Sequence, residues 1–223
     1  MHTTLKSAVA ALTAAVALAA LVSGVSARNL SVSNQSIRMT WRSLEFATFL
    51  GGFSTRCPLT IEGSFHARTL TKVARALIGY ITAARSKSES CTGGRAWVYN
   101  GVERLEGITL PTSLPWHLTY ERFTGALPNI ERLSFLLSNM RFTIMEPLGS
   151  LCIYTTGSRG NATVTTTRNF PTGVIDNAVA SGSITLDAGS AESCPNPFNV
   201  VSRPEDGVVT LLGATTKITV TLI

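Results

Sequence analysis

Charge is scarce in this 223-residue chain: 14% of residues are Asp, Glu, Lys or Arg, while 44% are hydrophobic. That balance excludes a disordered tail and calls for a packed core. Histidine is nearly absent, with three in all. Of the motifs that carry common chemistries, the chain has no CxxC pair, no G-x-S-x-G elbow, no complete S-x-x-K set and no phosphate-cradling glycine loop. Zinc ligation by its cysteines, elbow-type serine hydrolysis and nucleotide binding are thereby excluded. Neither a cofactor nor a metal is expected, and the chain reads as closer to a binding protein than to an enzyme.

Long apolar runs are lacking too, except at one place. Met1 and Lys6 lead into an Ala/Leu/Val stretch from Ser7 to Val22, and Val25-Ser26-Ala27 supplies the small residues that a signal peptidase reads. Residues 1–27 therefore read as a secretory signal peptide cleaved near Ala27, with an uncleaved anchor as the alternative. No cysteine follows the cleavage point to carry a lipid. Residues 28–223 are expected to form a single exported β-rich domain with no membrane span in the mature chain, secreted or held at the cell envelope.

Cleavage removes one lysine, leaving 18 basic against 13 acidic side chains, a formal +5. A weak attraction to an anionic envelope polymer or glycan is what that charge supports. Arginines such as Arg38, Arg42, Arg56 and Arg85 are dispersed along the chain, and no basic cluster with interleaved aromatics marks a nucleic-acid site. All four cysteines, Cys57, Cys91, Cys152 and Cys194, lie in the exported portion. An even count in an oxidising compartment favours two disulfides, and three connectivities remain open.

Period-two alternation dominates what is there. Leu59, Ile61, Phe65 and Ala67 alternate with Thr60, Glu62, Ser64 and His66; Trp116, Leu118 and Tyr120 alternate with His117, Thr119 and Glu121. Similar runs recur to the end, where Val208 to Leu212 and Ile218 to Leu222 predict a closing hairpin. One stretch departs from the rule. Val73, Leu77, Tyr80, Ile81 and Ala84 stand at helical spacing, which predicts one short helix near residues 71–85. The fold class expected is mainly β, an antiparallel β-sandwich with a closed barrel as the alternative.

Candidate site residues are few. His66 lies four residues from Glu62, and His117 four from Glu121, each pair on one strand face. If those two strands pair, two imidazoles and two carboxylates meet, a set able to act as acid and base or to hold a metal. Trp116 offers an indole on which a sugar ring could stack. Two further readings compete with a binding or structural role: a barrel carrying an apolar molecule, and a hydrolase or metal site built on His66 and His117.

The segments Cys57-Pro-Leu-Thr-Ile-Glu-Gly-Ser-Phe and Leu114-Pro-Trp-His, with the Thr-rich closing run and the Ala-rich leader, resemble exported β-rich proteins of high-GC bacteria. That resemblance brings no activity with it.

Overall fold

The computed structural model describes residues 29–48, 52–126, 130–147, 149–157, 162–168, 172–188, 190, 193–196, 198–203, 205–213 and 216–222. The expected signal segment lies outside them. Seventeen strands follow in order: β1 Leu30–Val32, β2 Ser36–Thr48, β3 Ser54–Phe65, β4 Thr69–Leu70, β5 Leu77–Ser86, β6 Arg95–Val98, β7 Arg104–Leu105, β8 Ile108–Thr109 and β9 Trp116–Thr124. The remainder are β10 Arg132–Ser138, β11 Arg141–Met145, β12 Leu151–Thr155, β13 Ala162–Arg168, β14 Val174–Leu186, β15 Phe198–Ser202, β16 Gly207–Leu211 and β17 Ile218–Leu222.

The sheet closes on itself. Running β13-β10-β9-β5-β3-β2-β15-β14, with β14 pairing back onto β13, it forms an antiparallel barrel of eight strands. β15 and β16 share one position, each bridging β2 and β14 at a different height. The barrel alternative thus describes the molecule, and the closure leaves those eight strands without free edges. Beyond it, β12, β11 and β6 extend from the end of β14, and β17, β1 and β4 clasp the opposite end. Among the described residues no helix is long and apolar enough to cross a membrane.

Inward-pointing residues fill the interior. Trp41, Phe46, Ile61, Trp116 and Phe135 are all at most 1% exposed. Phe142 of β11 plugs one end, its ring 5.2 Å from Phe46 and 5.7 Å from Trp116. The space left between Trp41, Leu59, Trp116, Leu137 and Phe142 is a cavity of about 20 Å³. That is room for roughly one water.

The expected helix is a strand. Residues 77–86 form β5 between β3 and β9, and the helical element among the described residues is the short 3-10 turn Ser88–Ser90. The reason is two β-bulges. Register slips between Leu77 and Gly79 and again opposite Glu62/Gly63 insert one residue each. The buried residues then fall at Ile78, Ile81 and Ala84, a spacing of three that imitates a helix turn. Val73, read as part of the apolar face, is 65% exposed. Gly63 and Gly79 permit the close approach, since a Cβ on either would overlap a carbonyl oxygen of the facing strand, that of Tyr80 or Ser64.

The closing hairpin is corrected as well. Leu211 N donates to Thr216 O, but β17 then leaves β16 to pair with β1 and β14. Two disulfides are formed, Cys57–Cys91 and Cys152–Cys194, the local connectivity of the three. Such bonds belong to an oxidising compartment.

Candidate functional site

The two His/Glu pairs do not meet. β5 lies between β3 and β9, so the ladder that would have joined His66 to Glu121 and His117 to Glu62 is absent. Tyr80 takes the middle position instead, its ring 4.9 Å from His66 and 5.5 Å from His117. His66, just past the end of β3, and His117 of β9 flank β5, and strands two apart in a sheet lie roughly 10 Å from each other. Zinc at about 2 Å from each nitrogen does not span that. Among the described residues no three His, Cys, Asp or Glu side chains gather as a metal set.

The carboxylates are occupied differently. Glu62 Oε1 accepts from Arg38, 2.8 Å from Nε and 2.6 Å from Nη2. Glu121 sits at the β9–β10 bulge with its Oε2 buried and without a hydrogen-bond partner. Trp116 is fully buried, and its Nε1 donates to Ser113 Oγ at 3.0 Å. No face of that indole is presented to a sugar.

What the register does assemble is basic. On the outer surface of β2, β3 and β5, Thr40 stands opposite Thr60, and Thr60 opposite Arg85; Arg38 stands opposite Glu62. Around them lies a groove of about 660 Å³, lined by Arg38, Thr40, Arg42, Thr60, Arg85 and Lys87 among others. The two threonine hydroxyls share a hydrogen bond at 3.2 Å and form a polar floor. Arg38 is neutralised by Glu62. Arg42, Arg85 and Lys87 are exposed and form no salt bridge among the described residues. Three cations without an ion pair around one concavity are chemically able to hold an anion, with arginine forks suited to carboxylate, sulfate or phosphate.

These residues are thirty or more positions apart in places, and only strand pairing brings them together. Arg38, Thr40 and Arg42 did alternate along one strand face. The contribution of Arg85, and of Lys87 just past β5, is not legible through the helical spacing of Val73 to Ala84.

The groove's β5 rim is pinned from below. Glu103 accepts from Ser86 N at 2.7 Å, Ser86 Oγ at 2.9 Å and Val98 N at 2.6 Å, fastening β5, β6 and the loop that carries β7 and β8. Burial raises its carboxyl above the ordinary range, a shift that these three donors oppose and Glu89 reinforces. A raised folded value means that the stabilising contribution is whole below the unfolded carboxylate value, about 4.3, and is lost as pH rises through the folded one. Wild type should therefore exceed Glu103→Gln in unfolding free energy by more at pH 4 than at pH 8. Urea titrations of both at the two pH values measure this, and a gap that widens with pH contradicts it.

Compared with protein-family models, curated proteins and solved structures, the chain finds no match.

Proposed function

We propose that this protein is a non-enzymatic binding module which, after export directed by residues 1–27, holds an anionic polymer of the cell envelope on the outside of its barrel. The observation that carries this reading is the groove over β2, β3 and β5, where Arg42, Arg85 and Lys87 face one concavity and form no salt bridge among the described residues. An exported chain with few charges overall has concentrated three of its cations there. The interior supports the same choice, because a gap that holds one water between Trp41 and Phe142 offers no chamber for an apolar cargo at that level. The imidazoles flank Tyr80, and β5 keeps β3 and β9 from pairing.

Dextran sulfate, with uncharged dextran as control, tests the reading. Binding should weaken steeply as salt rises, since cation–anion contacts at an open surface are screened. The triple variant Arg42→Ala, Arg85→Ala, Lys87→Ala should lose at least about tenfold in affinity, equivalent to about 1.4 kcal/mol. Its melting temperature should hold, because exposed substitutions without ion partners cost little. Equal binding of charged and neutral dextran sinks the proposal, as does a triple variant that binds like wild type.

A further inference from the structure

The basic groove continues. At the bulge between Trp41 and Leu44, β2 turns two consecutive residues outward: Trp41 and Leu44 are buried, while Arg42 is exposed and Ser43 partly so. Arg42 lines the basic groove, and Ser43 lines a second hollow of about 180 Å³ shared with Glu45, Arg56, Arg203 and Asp206. The two hollows adjoin at consecutive residues of β2. Arg42 N donates to Asp206 O at 2.9 Å, which seats the 203–206 turn on the bulge. From Glu62 of the first to Arg56 of the second, along β3, the two hollows together form a trench that spans roughly 20 Å, by strand rise.

Its two ends differ in chemistry. The first hollow has an excess of three cations. The second is balanced: Arg56 and Glu45 form a two-pronged ion pair, with Nε to Oε2 at 3.1 Å and Nη2 to Oε1 at 3.3 Å, and Arg203 stands with Asp206. Carboxylates in a binding hollow accept from hydroxyl donors and repel anions. A polyphosphate has no such donors along its length, whereas an acidic glycan carries hydroxyls beside its carboxylates and can turn them toward Glu45 and Asp206. A single-stranded nucleic acid gains from exposed aromatics on which its bases stack. The aromatic residue among the trench's lining is Trp41, and it is buried.

Resting on the polyanion reading above, we infer that the occupant is a linear acidic glycan laid along β2 and β3, with carboxylates on Arg42, Arg85 and Lys87 and neutral hydroxyls on Ser43, Glu45 and Asp206. The polarity of the trench sets the direction of the chain. A ligand that fills both hollows gains from the second only when it is long enough to reach it.

Calorimetry on the full chain with oligogalacturonides from dimer to decamer tests this, with polyphosphate and single-stranded DNA as competing anions. The decamer should bind at least tenfold tighter than the dimer. The double variant Arg203→Ala, Asp206→Asn should remove that gain, bringing the decamer down to the affinity of the dimer for the same variant. Arg42→Ala, Arg85→Ala, Lys87→Ala should weaken both. If the length gain survives in the double variant, or polyphosphate or DNA binds as tightly as the decamer, the glycan assignment is overturned while the polyanion reading stands. If no anion binds above a neutral glycan, both fall.

Discussion

Removing the Cys57–Cys91 bridge by double alanine substitution should lower the unfolding free energy by about 3–4 kcal/mol, and removing Cys152–Cys194 should cost about the same. The bridges close sequence separations of 34 and 42 residues, and the chain-entropy relation assigns losses of that size to loops of this length. A domain of ordinary stability has about 5–15 kcal/mol in total, so losing both bridges would leave little. The two are not equivalent in consequence. Cys57–Cys91 ties β3 to the segment that carries Lys87 and the turn Ser88–Ser90, which borders the groove, and paired backbone hydrogen bonds between Arg56 and Thr92, both 2.9 Å, flank it. Cys152–Cys194 fastens β12 to the segment before β15, away from the groove residues. Urea titrations should therefore report similar losses for the two double variants, whereas polyanion affinity should fall in Cys57→Ala, Cys91→Ala alone. Equal affinity in both variants would show that the rim holds its shape without the bond.

Much of the barrel is legible from alternation, because a strand with one face on a core has to repeat every second residue. Leu59 and Ile61 of β3, and Trp116, Leu118 and Tyr120 of β9, all point inward as their spacing requires. Closure is not legible that way. A strand facing a barrel core and one facing a second sheet carry the same pattern; what closes this sheet is β14, whose 13 residues pair with β13, β15, β16, β17 and β12 in turn. β5 misleads because its two bulges convert a period of two into a spacing of three. The groove was hidden for a different reason. Its cations lie on β2, on β5 and just past the end of β5, with β3 between them, and their proximity is a property of register, which the chain encodes through core packing and not through any motif.

Trp116→Ala should cost about 3–5 kcal/mol, the range for emptying a large aromatic from a core, and lower the melting temperature by about 10 °C in a chain of this size. The indole is fully buried, its ring contacts Phe142, and its Nε1 bond to Ser113 Oγ anchors the loop before β9. Ser113 Oγ itself donates to Tyr99 O at 3.0 Å, so the loss extends toward the smaller cluster of Trp97, Tyr99 and Leu110. The contrasting variant is His66→Ala, His117→Ala. His66 is exposed and His117 half-buried on the barrel exterior, each touching the Tyr80 ring edgewise or at a tilt. Their removal should shift the melting temperature by about 2 °C or less. Polyanion affinity, measured on folded protein, should be unchanged in both variants, since neither Trp116 nor the histidines line the groove. A Trp116→Ala protein that melts with wild type but loses its ligand would restore the indole as a binding surface. A histidine variant that loses binding would move the site from β2 and β3 toward the Tyr80 row. The two variants thus separate a residue whose chemistry suits ligands but whose position serves the core from residues whose position is accessible but whose partners leave them idle.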